Sequence, residues 1–429
     1  MKKMTQWLQK SIRPNEVFKF IHPNADIIVG MANGEPLTLL NTLEAEHERL
    51  QNVRFHQMHP RNERAYINGQ YKEHMRHIAY FLSPSSRDAY NNGHCDLVPN
   101  HFHEVPKLLR EHTACNLVIA SAAPMDHHGY FSLGTNAEYV AALIGQAPFL
   151  LEINPNMPRT YGGNQIHISQ IVGFIESDNS CWEIPAHTSN EIDQRIAGHI
   201  AALIPDGSTI QVGIGGIPNA IIGFLKEKKH LGIHTEMLTD GLVDLVESGA
   251  VDGTKKQTHP GKIVGTFALG TKRLYSFLHE NTGVLMLPVD VVNDPRLIAK
   301  ENHIVSINSS VEVDFFGQCS SETIQGRYYS STGGQADFAR GAAFAENGKS
   351  FICLPSTAKN GTVSRIQPYL TPGTPISNSK NDVHYIVTEF GAANLKGKSI
   401  RERALALISI AHPRFREELT FQAQRSSFI

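Results

Sequence analysis

Asp126-His-His-Gly129-Tyr-Phe-Ser132 follows the apolar run LVIAS, and its echo lies 188 residues further on. There Asp314-Phe-Phe-Gly317-Gln-Cys-Ser320 follows the apolar run VSI, so the pattern D-x-x-G-x-x-S occurs twice. Upstream, Asp96-Leu-Val-Pro99 and Glu104-Val-Pro106-Lys-Leu-Leu answer to Leu285-Met-Leu-Pro288 and Asn293-Asp-Pro295-Arg-Leu-Ile, with both prolines displaced by 189. Val29-Gly30 and Pro36 match Val212-Gly213 and Pro218 at offsets near 183. Three islands in the same order at nearly constant spacing read as a tandem duplication. The competing reading is one large sheet with chance matches.

Within each copy, short β-branched runs (DIIVG, NLVIAS, TIQVGIG, HIVSIN, VHYIVTE) are separated by stretches of helical periodicity such as 37–50 and 399–411. Such alternation implies parallel sheets covered by helices. The expected fold class is α/β, as two tandem domains of similar open, mostly parallel-sheet plan. The boundary is expected near residue 185, giving domains 1–184 and 185–429. Pro185 and the capping-box spacing Thr188-Ser-Asn-Glu191, opening the helix IDQRIAGHIAALI, support it.

Composition narrows the function classes. The 429 residues are 41% hydrophobic and 19% charged, enough apolar mass for real cores and too little charge for disorder. Lys and Arg number 39 against 41 Asp and Glu, so a broad basic nucleic-acid face is not expected. The five cysteines (Cys95, Cys115, Cys181, Cys319, Cys353) form no CxxC pair, so neither a disulfide framework nor a zinc ribbon is indicated. No signal-peptide core and no run of 18 apolar residues is present, so a soluble, cytoplasmic protein without membrane partners is expected. His101/His103 and His127/His128 are close pairs with no third ligand at a metal spacing, and no metal is expected.

Gln211-Val-Gly213-Ile214-Gly215-Gly216-Ile217-Pro218 runs from a strand-like segment into the helical IIGFLKEKK. Glycines at such a turn let the backbone approach a phosphate at a helix N-terminus. A dinucleotide fingerprint does not fit, because Pro218 stands at its third glycine and no ribose-binding acid follows. Twenty-three residues beyond Gly213 comes His234-Thr-Glu236-Met-Leu-Thr-Asp240-Gly241. Glu236, set between Met and Leu before a turn, reads as a partly desolvated carboxylate or as an ordinary cap. Its approximate counterpart in the first copy, in Phe55-His-Gln57-Met58, is an amide.

These residues resemble the acetyl-CoA hydrolase/transferase family, the class I coenzyme A transferases with a glutamate nucleophile. The carrying motifs are GIGGIPNAI, HTEMLTDGLVDLVESGAV, VSINSSVEVDFFGQCSSE, STGGQADFARGA and VTEFGAANLKGKS, with APMDHHGYFSLG in the first half. The length is similar to that of the shorter 4-hydroxybutyrate and butyrate CoA-transferases. The resemblance implies that Glu236 attacks the acyl-CoA thioester, that Asn293 and the Gly334 backbone stabilise oxyanions, and that Glu389 is a second carboxylate near the site. It places coenzyme A at Gly213, Ile214, Gly215, Gly216, Ile217, Ser310, Ser330, Gly334 and Lys359. Alone, Asn293 and Gly334 read as turn residues and Lys359 as a solvated lysine.

The implied activity is transfer of coenzyme A between an acyl-CoA and a short-chain carboxylate (4-hydroxybutyrate, butyrate or acetate) by a ping-pong route through glutamyl-CoA. Coenzyme A enters as substrate, with no cofactor bound permanently, and a homodimer is implied. A glutamate of ordinary pKa, about 4.3, would be ionised at pH 7 and need no general base. The alternatives are an acyl-CoA hydrolase using the same glutamate and a noncatalytic CoA or nucleotide sensor.

Overall fold

A computed structural model describes residues 9–185, 188–213 and 215–429. The chain divides into two compact units. The first holds Met1–Pro185, Met237–Thr239 and Val264–Val292, and the second holds Ala186–Glu236, Asp240–Ile263 and Asn293–Ile429. Two segments from beyond residue 185 thus belong to the first unit.

The first unit is built on a seven-stranded sheet. Its strands are β1 (Asp26–Val29), β2 (Val53–Gln57), β3 (Met75–Ala79), β4 (Asp96–Leu97), β5 (Leu117–Ala122), β6 (Phe149–Ile153) and β7 (Ile171–Glu176). They lie in the order β4-β3-β2-β1-β5-β6-β7, and every neighbouring pair is parallel. The second unit has β8 (Thr209–Val212), β9 (Gly232–Ile233), β10 (Ile304–Ser309), β11 (Lys349–Cys353), β12 (Tyr385–Thr388) and β13 (Gly391–Asn394). Their order is β9-β8-β10-β11-β12-β13, parallel except for the β12/β13 edge hairpin. Strands β1, β5, β6 and β8 are buried at every residue, as expected where helices cover both faces of a parallel sheet.

The order β2-β1-β5-β6-β7 of the first sheet is repeated as β9-β8-β10-β11-β12 in the second. The twin D-x-x-G-x-x-S motifs fold alike. Asp126 Oδ1 accepts the backbone N–H groups of His128 (2.8 Å) and Tyr130 (2.9 Å); Asp314 Oδ1 accepts those of Phe316 (3.1 Å) and Gln318 (2.9 Å). Gly129 and Gly317 take φ of 94° and 87°, where a side chain would be strained. The copies differ at both edges: β13 is added only to the second sheet, and β3 and β4 only to the first. Asp96–Leu97 extends the first sheet, whereas its sequence counterpart Val284–Met286 lies outside the second sheet, in a segment of the first unit.

Helices are shorter than periodicity predicts. The stretch from Leu37 forms α1 (Leu37–Ala45) and then a 3-10 turn, His47–Arg49. The helix after residue 185 is α2 (Glu191–Ala201). Its capping box is formed by Asn190 and Asp193, two residues later than the Thr188/Glu191 spacing implied, because Asn190 takes the extended backbone that a cap needs. Next comes α3 (Gly216–Leu225), which packs on α2. Further along the chain lie α4 (Gln335–Phe344) and α5 (Ile400–Ile410), the latter capped by Ser399.

Candidate active site

In the second sheet the connection order reverses between β8 and β10, and in open parallel sheets ligand crevices form beyond the carboxyl ends of strands at such a point. The glycine turn leaves β8 there. The Gly213 N–H donates to Ile307 O at 3.0 Å, keeping the chain beside β10 for one residue past the strand. Gly215 caps α3 with φ of 130°, open only to glycine. A Cβ on Gly216 would run into the carboxylate of Asp193, so the α2 cap is what excludes a side chain there. Ile217 is buried under the turn, and Ile214 lies outside the described residues.

Glu236 is partly buried and meets two donors from distant parts of the second unit. Asn293 Nδ2 donates to its Oε2 at 2.7 Å, and the Gly334 backbone N–H donates to the same carboxylate. Gly334 caps α4, so the positive end of that helix faces the carboxylate. It must be glycine, since a Cβ would overlap Glu236 Oε2 and Asn293 Nδ2. Asn293 is fully buried, and its Oδ1 has no hydrogen bond among the described residues, leaving the amide committed to Glu236.

The charge state of Glu236 departs from the sequence expectation. Burial pushes its carboxyl up to about 7, against the lowering effect of the Asn293 hydrogen bond. Asp337, in the first turn of α4, raises it further by like-charge repulsion, and the Gly334 N–H lowers it. The side chain is therefore poised near neutrality and is not an ordinary ionised surface glutamate. Desolvation keeps the carboxylate nucleophilic, while the two donors hold a fraction of it ionised.

The other expected residues are placed as follows. Glu389, at the end of β12, is 9% exposed and accepts from Ser356 N (2.9 Å) and Ser356 Oγ (2.6 Å). Its carboxylate thus ties the loop after β11 to the end of β12. Ser310 Oγ donates to Ser320 O at 2.7 Å, and Ser330 Oγ to Ser321 O at 2.8 Å, so both hydroxyl protons are committed to backbone carbonyls. Lys359 is exposed on a turn with φ of 49° and forms no ion pair among the described residues. The sequence reading missed Asp337 and Ser356; STGGQADF contained the first, but nothing in it signalled a carboxylate facing Glu236.

In the first unit Gln57, the counterpart of Glu236, is fully buried, and its Nε2 donates to Glu35 Oε2 at 2.8 Å. Glu35 in turn pairs with Arg64 at 2.8 Å. The equivalent position has become part of a satisfied polar core. The His101/His103 and His127/His128 rings lie against each other at 6.0 and 3.9 Å. No group of three or more His, Cys, Asp or Glu among the described residues is placed to hold a metal.

The acetyl-CoA hydrolase/transferase N-terminal domain matches residues 1–184, and the C-terminal domain of the same family matches 270–423. The chain belongs to the acetyl-CoA hydrolase/transferase family. It is similar to the succinyl-CoA:cyclohexane-1-carboxylate CoA transferase of Geobacter metallireducens, at 44% identity over 99% of this chain and 97% of that one. Similarity to the 4-hydroxybutyrate coenzyme A transferase of Clostridium kluyveri is 41% identity over 96% of each chain. A crystal structure of RipA from Yersinia pestis superposes with a TM-score of 0.94 at 36% identity, covering both chains completely. Family membership holds for the whole chain and agrees with the duplicated α/β plan. No helix among the described residues is long and apolar enough to cross a membrane.

Proposed function

We propose that this protein transfers coenzyme A from an acyl-CoA to a short-chain carboxylate, with Glu236 as the covalent carrier. The observation carrying the proposal is a desolvated carboxylate met by two preset donors, Asn293 Nδ2 and Gly334 N–H. Relatives that match nearly the whole chain and are named CoA transferases support the same class.

In this scheme Glu236 Oε1, which the Asn293 amide leaves free, attacks the thioester carbonyl. The C–S bond breaks, giving an acyl–glutamyl anhydride and CoA thiolate. The thiolate then attacks the glutamyl carbonyl carbon, and negative charge develops on Oε2, beside Asn293. Collapse expels the first carboxylate and leaves a glutamyl-CoA thioester. A second carboxylate reverses the two steps and departs as the new acyl-CoA. One thioester is broken and one formed, so no ATP is consumed. Each donor aimed at the developing oxyanion is worth roughly 10²–10³ in rate.

Among acceptors we favour 4-hydroxybutyrate, butyrate and acetate, and the working form we propose is a cytoplasmic homodimer. Hydrolysis, in which water resolves glutamyl-CoA, is the competing outcome, and a closed pocket that excludes water would suppress it. Initial rates with acetyl-CoA varied at several fixed concentrations of 4-hydroxybutyrate or butyrate test the scheme. Parallel double-reciprocal lines are expected, and intersecting lines would overturn the ping-pong order. CoA release that is independent of added carboxylate would show a hydrolase instead.

A further inference from the structure

The second sheet carries an unassigned cavity at the end opposite Gly213, Ser310 and Glu389. His303 immediately precedes β10, Lys349 opens β11, and His384 immediately precedes β12. These three strands are parallel neighbours, in register at Val305↔Lys349 and Phe351↔Tyr385, so their amino ends bring the three basic residues to one edge. Lys396 joins them because β13 runs antiparallel, pairing Asn394 with Tyr385, and returns the chain to that edge. With Asn347 and Gly348 they line a cavity of about 530 Å³.

No acidic side chain lines this cavity. The Glu346 carboxylate, adjacent in sequence, accepts instead from Asn302 Nδ2 at 3.4 Å. Lys349 Nζ donates to the neutral Leu203 carbonyl at 2.7 Å, and neither Lys349 nor Lys396 has an ion-pair partner among the described residues. The positive field is felt locally: burial, then the charges of Lys396 and Lys349, hold the His384 imidazole down to about 4. The five steps between Ile304 and Ser309 of β10, at about 3.3 Å rise each, separate the two edges by roughly 16 Å.

We infer that the amino-terminal edge of this sheet, between Lys349, Lys396, His384 and His303, binds a phosphoryl dianion away from the Glu236 centre. Two ammonium groups match the charge of a phosphate dianion, and the His303 imidazole supplies a further N–H donor, while the neutral His384 ring, bonded to the Gly348 backbone, forms part of the wall. The cavity is large enough for a mononucleotide as well as free phosphate.

Titration of the full-length protein at fixed ionic strength tests this, with inorganic phosphate as the probe and the ring resonances of His303 and His384 as the readout. Phosphate should shift both resonances. The Lys349→Met/Lys396→Met pair should bind about tenfold more weakly, because each lost contact is worth roughly 0.7 kcal/mol. Unchanged affinity in that variant, or no response of His384, overturns the inference. Lys396→Met alone, at an exposed position, keeps the test valid if the double variant does not fold, and should weaken binding severalfold. AMP binding more tightly than phosphate would identify a nucleotide, and equal binding a lone phosphoryl group. Succinate binding as tightly as phosphate would refute the phosphoryl assignment.

Discussion

Replacing Asn293 by Leu removes one donor from Glu236 at nearly constant volume. The amide makes its one described hydrogen bond to Glu236 Oε2, at 2.7 Å, and its Oδ1 is buried without a partner. No other described contact is lost, so below pH 7, where Glu236 is largely protonated, the fold should be about as stable as the parent's; well above pH 7, where the carboxylate is ionised without its amide partner, it should be less stable by about 1.5–3 kcal/mol. Two quantities should change. The rate at high pH should fall roughly 10²–10³-fold, because one of the two proposed oxyanion donors is gone. A hydrogen bond to a charged group is worth about 1.5–3 kcal/mol, and at 1.36 kcal/mol per pH unit its loss should move the ionisation of Glu236 from about 7 to about 8–9.

The direction is fixed by the chemistry. With the carboxylate as the proposed nucleophile, kcat/KM in the parent should rise with pH through about 7, and the variant should rise later. The assay is the pH profile of kcat/KM for acetyl-CoA with butyrate as acceptor, alongside a thermal melt. An acid limb that stays near 7 or moves down, or a loss below tenfold on the alkaline plateau, would refute the role of Asn293.

Three further substitutions separate catalytic from structural roles. Glu236→Gln should abolish transfer yet stabilise the fold: the carboxyl titrates near 4.5 unfolded and about 7 folded, so its contribution is fullest below pH 4.5 and is lost as pH rises through 7. Melts should favour the variant by up to about 3 kcal/mol at pH 8 and by almost nothing at pH 4.5, and an equal difference at both pH values would contradict the desolvation argument. Gly334→Ala should lose at least about 10²-fold in kcat with folding retained by circular dichroism, because the new methyl group overlaps Glu236 Oε2; near-parental kcat would exclude the Gly334 contact. Glu389→Gln should cost about 1–2 kcal/mol of stability through its two bonds to Ser356 while still forming the Glu236 adduct; a variant of parental stability that forms no adduct would give Glu389 a direct role.

The duplicated plan was legible because its signals are local. An aspartate, a glycine and a serine at fixed spacing mark the same turn after β5 and β10, and short runs dominated by apolar residues mark strands covered on both faces. Glu236 and Gly334 could be picked out by motif, and each sits in a turn whose geometry its own neighbours set. What sequence could not carry is proximity across long separations. Asp337 acts on Glu236 from 101 residues away, Asp193 closes against Gly216, and Glu389 engages Ser356. The shift of Glu236 to about 7 depends on how much water those contacts remove, so its ordinary value was the natural expectation and the wrong one. Membership of Met237–Thr239 and Val264–Val292 in the first unit likewise left no mark in local pattern.

The central claim is that Glu236 becomes a thioester during turnover. Incubation with acyl-CoA in the absence of acceptor, reduction with borohydride and peptide mapping by mass spectrometry address it directly. The carboxyl of Glu236, within His234-Thr-Glu236-Met-Leu-Thr-Asp240-Gly241, should be converted to a primary alcohol, and Glu236→Gln should be left unmodified. Turnover at full rate with that peptide unmodified, or with the label on another residue, would contradict it.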